Sequence, residues 1–265
     1  MCKVISVVSW KGGVGKTTTA VNISSYIKMQ GKKVCAIDLD AQHSLTKHFG
    51  IMPGHLKDKP TVYDLFSAAV NECSDEEMNE LVHRAICRTT TADVIPSTPK
   101  LTALESVIPS VTCREQLLKY IISYIKDEYE YIFLDCHPGS DIFTQNALAA
   151  SDSVILPVEA HILGIEGLQQ EEKMIRSVKR FLNPSLKIEG IVITKFQART
   201  NYCRSIYDTV EQNFGDRIHI FEDRIKHAIK VAEAPAFGIS IHEYAPKCEA
   251  SVAYANIAAE VMHNA

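Results

Sequence analysis

The chain has 265 residues, of which 46 % are hydrophobic and 23 % charged, and its formal net charge is −4. These values are typical of a soluble globular protein, and we predict a single domain over residues 1–265. No stretch approaches 18 uncharged apolar residues, so no membrane span is expected, and the short apolar run at the N-terminus indicates a strand rather than a signal peptide. The net charge does not by itself indicate a nucleic-acid-binding protein.

The eight cysteines are scattered, and no two lie within four residues of each other. This spacing argues against a zinc or iron–sulfur framework and favours buried, reduced thiols. We therefore expect a cytoplasmic protein.

Apolar β-branched runs alternate with segments of helical periodicity along most of the chain. The pattern predicts strands over 3–9, 33–40, 92–97, 129–136, 153–160, 188–194 and 217–221. It predicts helices over 17–30, 61–70, 74–86, 113–129, 143–151, 164–181, 202–214 and 250–262. Gly31 should end the first helix, and Ser74 with Glu77 forms a capping-box pattern. The segment 51–112 is the least clear.

Strands that are apolar throughout and alternate with helices indicate an α/β fold. We predict a doubly wound, mostly parallel sheet with helices on both faces.

A glycine-rich turn lies between the first strand and the first helix. It comprises Lys11, Gly12, Gly13, Val14, Gly15, Lys16, Thr17 and Thr18. Glycine lets several backbone N–H groups converge on a phosphate, and the helix adds the positive end of its dipole. Lys16 is placed to reach the β- and γ-phosphates of ATP, and the Thr17 hydroxyl to bind Mg²⁺. The strict motif has glycine where Trp10 stands, but the strand–loop–helix context disfavours an incidental glycine-rich turn. The loop in this context indicates the P-loop NTPase fold.

Three aspartates follow strands at positions where ligands of open α/β sheets bind. Asp38 and Asp40 end the second strand, and Asp135 ends the apolar run before Cys136. With Thr17, we predict Asp38 and Asp135 as magnesium-site residues. An aspartate at a strand end can also be a simple turn former, so each position alone leaves that alternative open.

The chain resembles the ParA/MinD class of ATPases in KGGVGKTT at 11–18, DLDAQ at 38–42 and DCHPG at 135–139. Its C-terminal part resembles the ParA/Soj branch that segregates plasmids and chromosomes. The motifs there are ITKFQART at 193–200, VAEAPAFGISIHEYAP at 231–246 and ASVAYANIAAEV at 250–261. The chain departs from the family pattern at Ser9-Trp10, Ala41, His137-Pro138 and 226–228.

The resemblance implies an ATP-dependent sandwich homodimer. In that family the lysine corresponding to Lys11 crosses to the partner's nucleotide. The resemblance further assigns Asp40 to orienting the attacking water, Asp135 to supporting magnesium and residues 12–18 to wrapping the phosphates. Lys11, Lys16, Asp40 and Asp135 are thus the expected catalytic residues, because phosphoryl transfer depends on positioning and charge neutralisation.

The resemblance also implies ATP-dependent binding of nonspecific double-stranded DNA, hydrolysis stimulated by a ParB-like partner, and association with the nucleoid. The family's basic positions match Arg199 and Lys230. Acidic residues alternate with the basic residues over 195–230. A solvated face of mixed charge is therefore an equally good interpretation of that part of the sequence.

Other functions on the same fold remain as alternatives. A MinD-like membrane ATPase would need a basic amphipathic helix after the domain, and the chain ends at Ala265 directly after a helix that looks structural. An electron-transfer ATPase would need paired cluster cysteines, for which Cys136 is wrongly placed. A cargo-positioning scaffold that acts on a protein complex instead of DNA is compatible with every motif above.

Overall fold

The computed structural model describes residues 2–197 and 200–264, with the backbone alone at Asn201. Within them, six strands form one sheet in the order β3-β2-β4-β1-β5-β6, and every neighbouring pair is parallel. The strands are β1 (Lys3–Val7), β2 (Val34–Leu39), β3 (Asp93–Ile95), β4 (Tyr131–Cys136), β5 (Ser153–Glu159) and β6 (Lys187–Thr194). The predicted parallel α/β architecture is confirmed.

The α-helices connect and cover these strands. They are α1 (Lys16–Met29), α2 (Ser44–His48), α3 (Val62–Val70), α4 (Asp75–Ala85), α5 (Leu117–Ser123), α6 (Ile142–Ala150), α7 (Ile162–Phe181), α8 (Asn201–Phe214), α9 (Ile229–Glu233), α10 (Ile241–Tyr244) and α11 (Glu249–His263). Short 3₁₀ turns occupy 53–56, 99–105, 108–110, 114–116 and 234–237. No helix in the described part of the chain is both long and apolar enough to cross a bilayer.

The sheet separates two hydrophobic cores, as its alternating side chains require. In β1, Val4 belongs to the core shared with α3–α8, whereas Ile5 and Val7 belong to the core shared with α1, α2, α10 and α11. Helices therefore cover both faces, which confirms the doubly wound fold.

Local signals at two helix ends are confirmed. The hydroxyl of Ser74 accepts the N–H of Glu77, and the Glu77 carboxylate accepts the N–H of Ser74, which closes the capping box of α4. Gly31 follows α1 with a left-handed φ of 82°, so it ends the helix without the strain that another side chain would introduce there.

Two predicted elements are wrong in part. The predicted helix 113–129 is a 3₁₀ turn at 114–116 followed by α5, which ends at Ser123. Asp127 and Glu128 would lie at the unfavourable negative end of a longer helix. The Tyr129 hydroxyl donates to Asp93, which anchors the chain to the sheet soon after that point.

The predicted strand 217–221 is a single bridge between Ile220 and Ile191 of β6. The ring of Phe221 occupies the space beside Gly190, where an added Cβ would lie only 2.7 Å from it. One side of this short segment thus packs against β6, but the pairing is not continued into a strand.

Parallel pairing brings the carboxyl ends of the strands to one edge of the sheet. Asp135 of β4 is in register with both Val7 of β1 and Asp38 of β2. The loop after β1 therefore begins beside the two aspartates that the sequence singles out.

Candidate functional site

The phosphate loop connects β1 to α1, and two of its glycines have backbone angles that favour glycine. Gly13 has φ 77° and Gly15 has φ 95°, both in the left-handed region. α1 begins immediately afterwards at Lys16. The N-terminal amides of α1 and the positive end of its dipole thus lie at the loop, as an anion-binding site requires.

The Lys16 side chain is buried inside this loop, where it is 7 % exposed. Its Nζ donates to the backbone oxygen of Lys11 over 3.3 Å. Burial lowers the pKa of Lys16, and the nearby carboxylate of Asp135 opposes that effect. A buried lysine with only a carbonyl as its close partner has the capacity to bind an incoming anion.

Thr17 and Asp135 meet at the head of α1. The Thr17 hydroxyl donates to Asp135 Oδ2 over 2.7 Å, while Asp135 Oδ1 is buried and has no hydrogen-bond partner among the residues that the structure describes. Burial raises the pKa of Asp135 well above its usual range, and the charge of Asp38 adds to this rise. A cation at this point would provide a partner for Asp135 Oδ1 and would offset the negative charges of Asp135 and Asp38.

The donor set of this pair fits magnesium. Mg²⁺ prefers oxygen ligands, and in nucleotide sites it takes one or two from the protein and the others from phosphates and water. No cluster of three or more His, Cys, Asp or Glu side chains able to hold a metal ion occurs within residues 2–197 and 200–264. The hydroxyl of Thr17 and the free oxygen of Asp135 are the groups that would face such an ion.

Asp38 is buried like Asp135, but protein donors engage both of its carboxylate oxygens. Its Oδ2 accepts both the N–H and the hydroxyl of Thr46, and its Oδ1 accepts the N–H of Asp40. Burial raises the pKa of Asp38 to about 7, against the effect of the Thr46 hydrogen bonds. Both oxygens are thus engaged in positioning the β2–α2 loop, an arrangement that favours support of the site over direct contact with a metal.

Asp40 lies at the start of that loop and is partly exposed. Its Oδ1 accepts the N–H of Gln42 over 2.8 Å, and its carbonyl accepts the N–H of His43. The first bond holds the carboxylate and the second holds the backbone of the loop, just past the carboxyl end of β2.

Two neighbouring segments hold the phosphate loop in place. The N–H of Gly139 donates to the carbonyl of Ser9, and a Cβ on Gly12 would lie 3.8 Å from the ring of Pro138. From the other side, the Thr194 hydroxyl at the end of β6 donates to the carbonyl of Val14 over 2.7 Å. The loop is therefore fastened to the segment that follows β4 and to the last residue of β6.

The structure describes one of the two residues that are predicted to contact DNA. Arg199 lies outside the described residues. Lys230 is exposed on α9 and forms no ion pair with any described residue. Three other basic residues of the region each form an ion pair with a glutamate, namely Lys195 with Glu159, Arg217 with Glu172 and Lys226 with Glu249.

Two residues that contact the phosphate loop are not among those predicted from the sequence. They are Thr194, the last residue of the predicted strand 188–194, and Glu171, which lies within the predicted helix 164–181. Glu171 is 1 % exposed, and its Oε1 accepts the N–H of Trp10 over 2.6 Å. The helical spacing of Glu171 could have indicated that it is buried, because it places this residue on the buried face of α7. The buried residues of that face are Gly164, Gly167, Leu168, Glu171, Ile175 and Val178.

Known proteins are similar to this chain over its whole length. A family model described as an AAA domain matches residues 2–188. The sporulation initiation inhibitor protein Soj of Bacillus subtilis (strain 168) is 34 % identical over 264 residues, which cover 100 % of both chains. The chromosome partitioning protein ParA of Myxococcus xanthus (strain DK1622) is 33 % identical over 260 residues, covering 98 % of this chain and 88 % of that protein.

A solved structure has the same fold at lower identity. The crystal structure of cobyrinic acid a,c-diamide synthase from Mycobacterium smegmatis, with a bound ATP analog and magnesium, superposes with a TM-score of 0.83. It is 24 % identical and covers 100 % of this chain and 96 % of its own. Full-length similarity, the phosphate loop and the parallel sheet agree: the chain belongs to the ParA/Soj family of chromosome-partitioning ATPases.

Proposed function

We propose that this chain is an ATP-dependent DNA partition ATPase. It would act as a single P-loop ATPase domain over residues 1–265, would dimerise when it binds ATP and would bind DNA without sequence preference in that state. The observation that carries the nucleotide part is the contact of Thr17 with Asp135 at the head of α1, beside the buried Lys16. Support also comes from the family to which the chain belongs.

ATP would lie over the loop with its phosphates against the backbone amides of residues 12–18. Lys16 would exchange its bond to the Lys11 carbonyl for the β- and γ-phosphates, and Thr18 would lie near the α-phosphate. Thr17 and Asp135 would hold magnesium, which when bound neutralises phosphate charge. Asp38 would support Thr17 and Asp135 indirectly, by holding the β2–α2 loop in place.

Hydrolysis would use Asp40 and a lysine from the partner subunit. Asp40 is held by Gln42 at the open edge of the sheet, where it would orient the attacking water. Lys11 would cross the dimer interface to the partner's phosphates and stabilise the charge that develops there, as an arginine finger does. Turnover would then depend on dimerisation.

DNA binding would rest on Lys230 and Arg199. Lys230 is exposed, and its charge is not neutralised by a described acid, in contrast to Lys195, Arg217 and Lys226. Phosphate contacts need only local positive charge, and a dimer doubles each patch, so the net charge of −4 does not oppose this role.

The decisive experiment is retention of the protein on nonspecific duplex DNA with ATP or ADP at several salt concentrations. We expect retention with ATP alone, a steep loss with salt, and loss of binding in Arg199→Ala/Lys230→Ala. Lys226→Ala is the matched control, because that lysine already pairs with Glu249 and should matter little.

Equal retention with either nucleotide, or none at all, would overturn the DNA assignment. That outcome would favour a cargo-positioning or MinD-like scaffold, which uses the same ATP switch on a protein complex or a membrane.

In the proposed partition function, a ParB-like protein would stimulate the slow intrinsic turnover of ATP. The site of action would be the nucleoid in the cytoplasm.

A further inference from the structure

Glu171 is a buried carboxylate that the proposed ATP chemistry does not use. It lies in the middle of the stripe that α7 turns towards the sheet, between Gly167 and Ile175. The residues around it on this stripe are apolar or glycine, so a carboxylate stands where a leucine would be expected.

The carboxylate makes one short contact with the phosphate loop. Oε1 accepts the N–H of Trp10 over 2.6 Å, and Trp10 is bonded directly to Lys11. Gly167 of α7 borders this contact, since a Cβ there would lie at van der Waals distance, 3.8 Å, from both Glu171 Oε1 and Trp10 Cβ. Glu171 thus reaches the backbone at the start of the loop beside the glycine that lies one turn earlier in its own helix.

The same backbone is held from the other side by Lys16. Lys16 Nζ donates to the carbonyl of Lys11, so the stretch from the Trp10 N–H to the Lys11 carbonyl is fixed at both ends. Lys16 is also the charged group that faces Glu171 from α1, and Asp135 and Asp40 act on that lysine in turn. When Lys16 turns to the phosphates of ATP, Glu171 remains as the side chain that holds this stretch.

Stability does not account for the carboxylate. Within the described residues, no donor makes a hydrogen bond to its buried Oε2, and an unmade hydrogen bond of this kind is unfavourable. Burial also raises the pKa of Glu171 to about 7, against the stabilising effects of the Trp10 N–H and the nearby Ser9 hydroxyl. An apolar side chain of similar volume would remove these costs.

We propose that Glu171 is a positioning residue for Lys11: by holding the Trp10 N–H it directs Lys11 towards the nucleotide of the partner subunit. This inference rests on the proposed function, in which Lys11 acts in the opposite subunit. It predicts that a defect at residue 171 appears in the partner's active site and leaves the subunit's own site intact.

The first test compares Glu171→Leu with Glu171→Gln. Glutamine keeps an oxygen that accepts the Trp10 N–H, so its kcat should stay near that of the wild type. Leucine removes the acceptor, and we expect a fall in kcat of about tenfold or more with little change in KM, since small misplacements of catalytic groups are costly. The melting temperature of Glu171→Leu should equal or exceed that of the wild type.

The second test mixes subunits before ATP is added. A dimer of one Glu171→Leu subunit and one Asp40→Ala subunit has one complete site, built from the Asp40 of the first and the Lys11 of the second. The mixture should therefore be clearly more active than the two variants measured separately. The control mixture pairs Lys11→Ala with Asp40→Ala and should show the same gain. Should the leucine variant fold poorly, Glu171→Met takes its place.

The outcomes separate this inference from the proposed function. A gain in the control mixture without a gain in the Glu171→Leu mixture would mean that Glu171 serves its own site, and the inference would be wrong. Failure of the control mixture would remove the role of Lys11 in the opposite subunit, and the inference with it. A Glu171→Leu protein with wild-type kcat would also overturn it.

Discussion

The Thr17 hydroxyl and the Asp135 carboxylate are joined by a 2.7 Å hydrogen bond between the first turn of α1 and the end of β4. The second carboxylate oxygen of Asp135 is buried and accepts no hydrogen bond from the described part of the chain. This pair is the point at which the phosphate loop and the sheet edge meet, and the first prediction concerns it.

Asp135→Asn should weaken magnesium activation. The amide is close to the carboxylate in shape but lacks its charge, so the apparent affinity for Mg²⁺ in the ATPase reaction should fall by about 10- to 100-fold. A magnesium titration of the rate at fixed ATP measures this. Asp40→Asn is the comparison, since it should lower the rate at all magnesium concentrations without moving the midpoint. An unchanged midpoint in Asp135→Asn would remove that residue from the metal site.

Asp40→Ala should bind ATP and remain a dimer. Without the carboxylate the attacking water loses its orientation, whereas the groups that bind the phosphates are intact. Size-exclusion chromatography after incubation with ATP should show a persistent dimer, and Lys16→Ala should remain a monomer because it does not bind nucleotide. If Asp40→Ala hydrolysed ATP at the wild-type rate, the proposed role of this acid would be wrong.

Trp10 should report nucleotide binding by its fluorescence. It is the only tryptophan, is 40 % exposed and adjoins Lys11 at the start of the loop. ATP with magnesium should change its emission in a saturable way, and Lys16→Ala should abolish the change. An emission that is indifferent to ATP in a protein that binds it would place Trp10 away from the nucleotide.

The stability of the protein should depend on pH through Glu171. Burial raises its pKa from the usual 4.5 to about 7, so the folded chain binds this proton more tightly than the unfolded chain. Stability should therefore fall as the pH rises through this window, and Glu171→Gln should lack this component.

The difference in unfolding free energy between wild type and Glu171→Gln should change by an amount on the order of 3 kcal/mol across that window, as an upper value. Urea unfolding at pH 5 and pH 8 measures it. Asp38 titrates in the same range but is common to both proteins, so it cancels in the difference. A difference that is independent of pH would contradict the raised pKa.

Much of this fold follows from local sequence signals. The strands around Ile5, Ile37 and Leu134 are apolar throughout because both faces of the sheet are covered, and such runs are easy to recognise. The Ser74 and Glu77 cap likewise needs only residues within one turn. The phosphate loop could be placed because its glycines adopt backbone angles that few other residues accept.

Other features depend on contacts distant in sequence. The early end of α5 involves the bond of Tyr129 to Asp93, and the short pairing of Ile220 involves the packing of Phe221 on Gly190. Glu171 meets Trp10 across 161 positions of sequence, so no local pattern links them. The engagement of Asp38 by Thr46 also becomes visible only once the β2–α2 loop is folded.

The hydrogen bond from the Thr194 hydroxyl to the Val14 carbonyl joins the phosphate loop to the C-terminal end of β6. In sequence, the proposed DNA residue Arg199 stands five positions after Thr194. A shift of the phosphate loop on ATP binding would therefore act on the end of β6, the strand from which the chain continues towards that arginine.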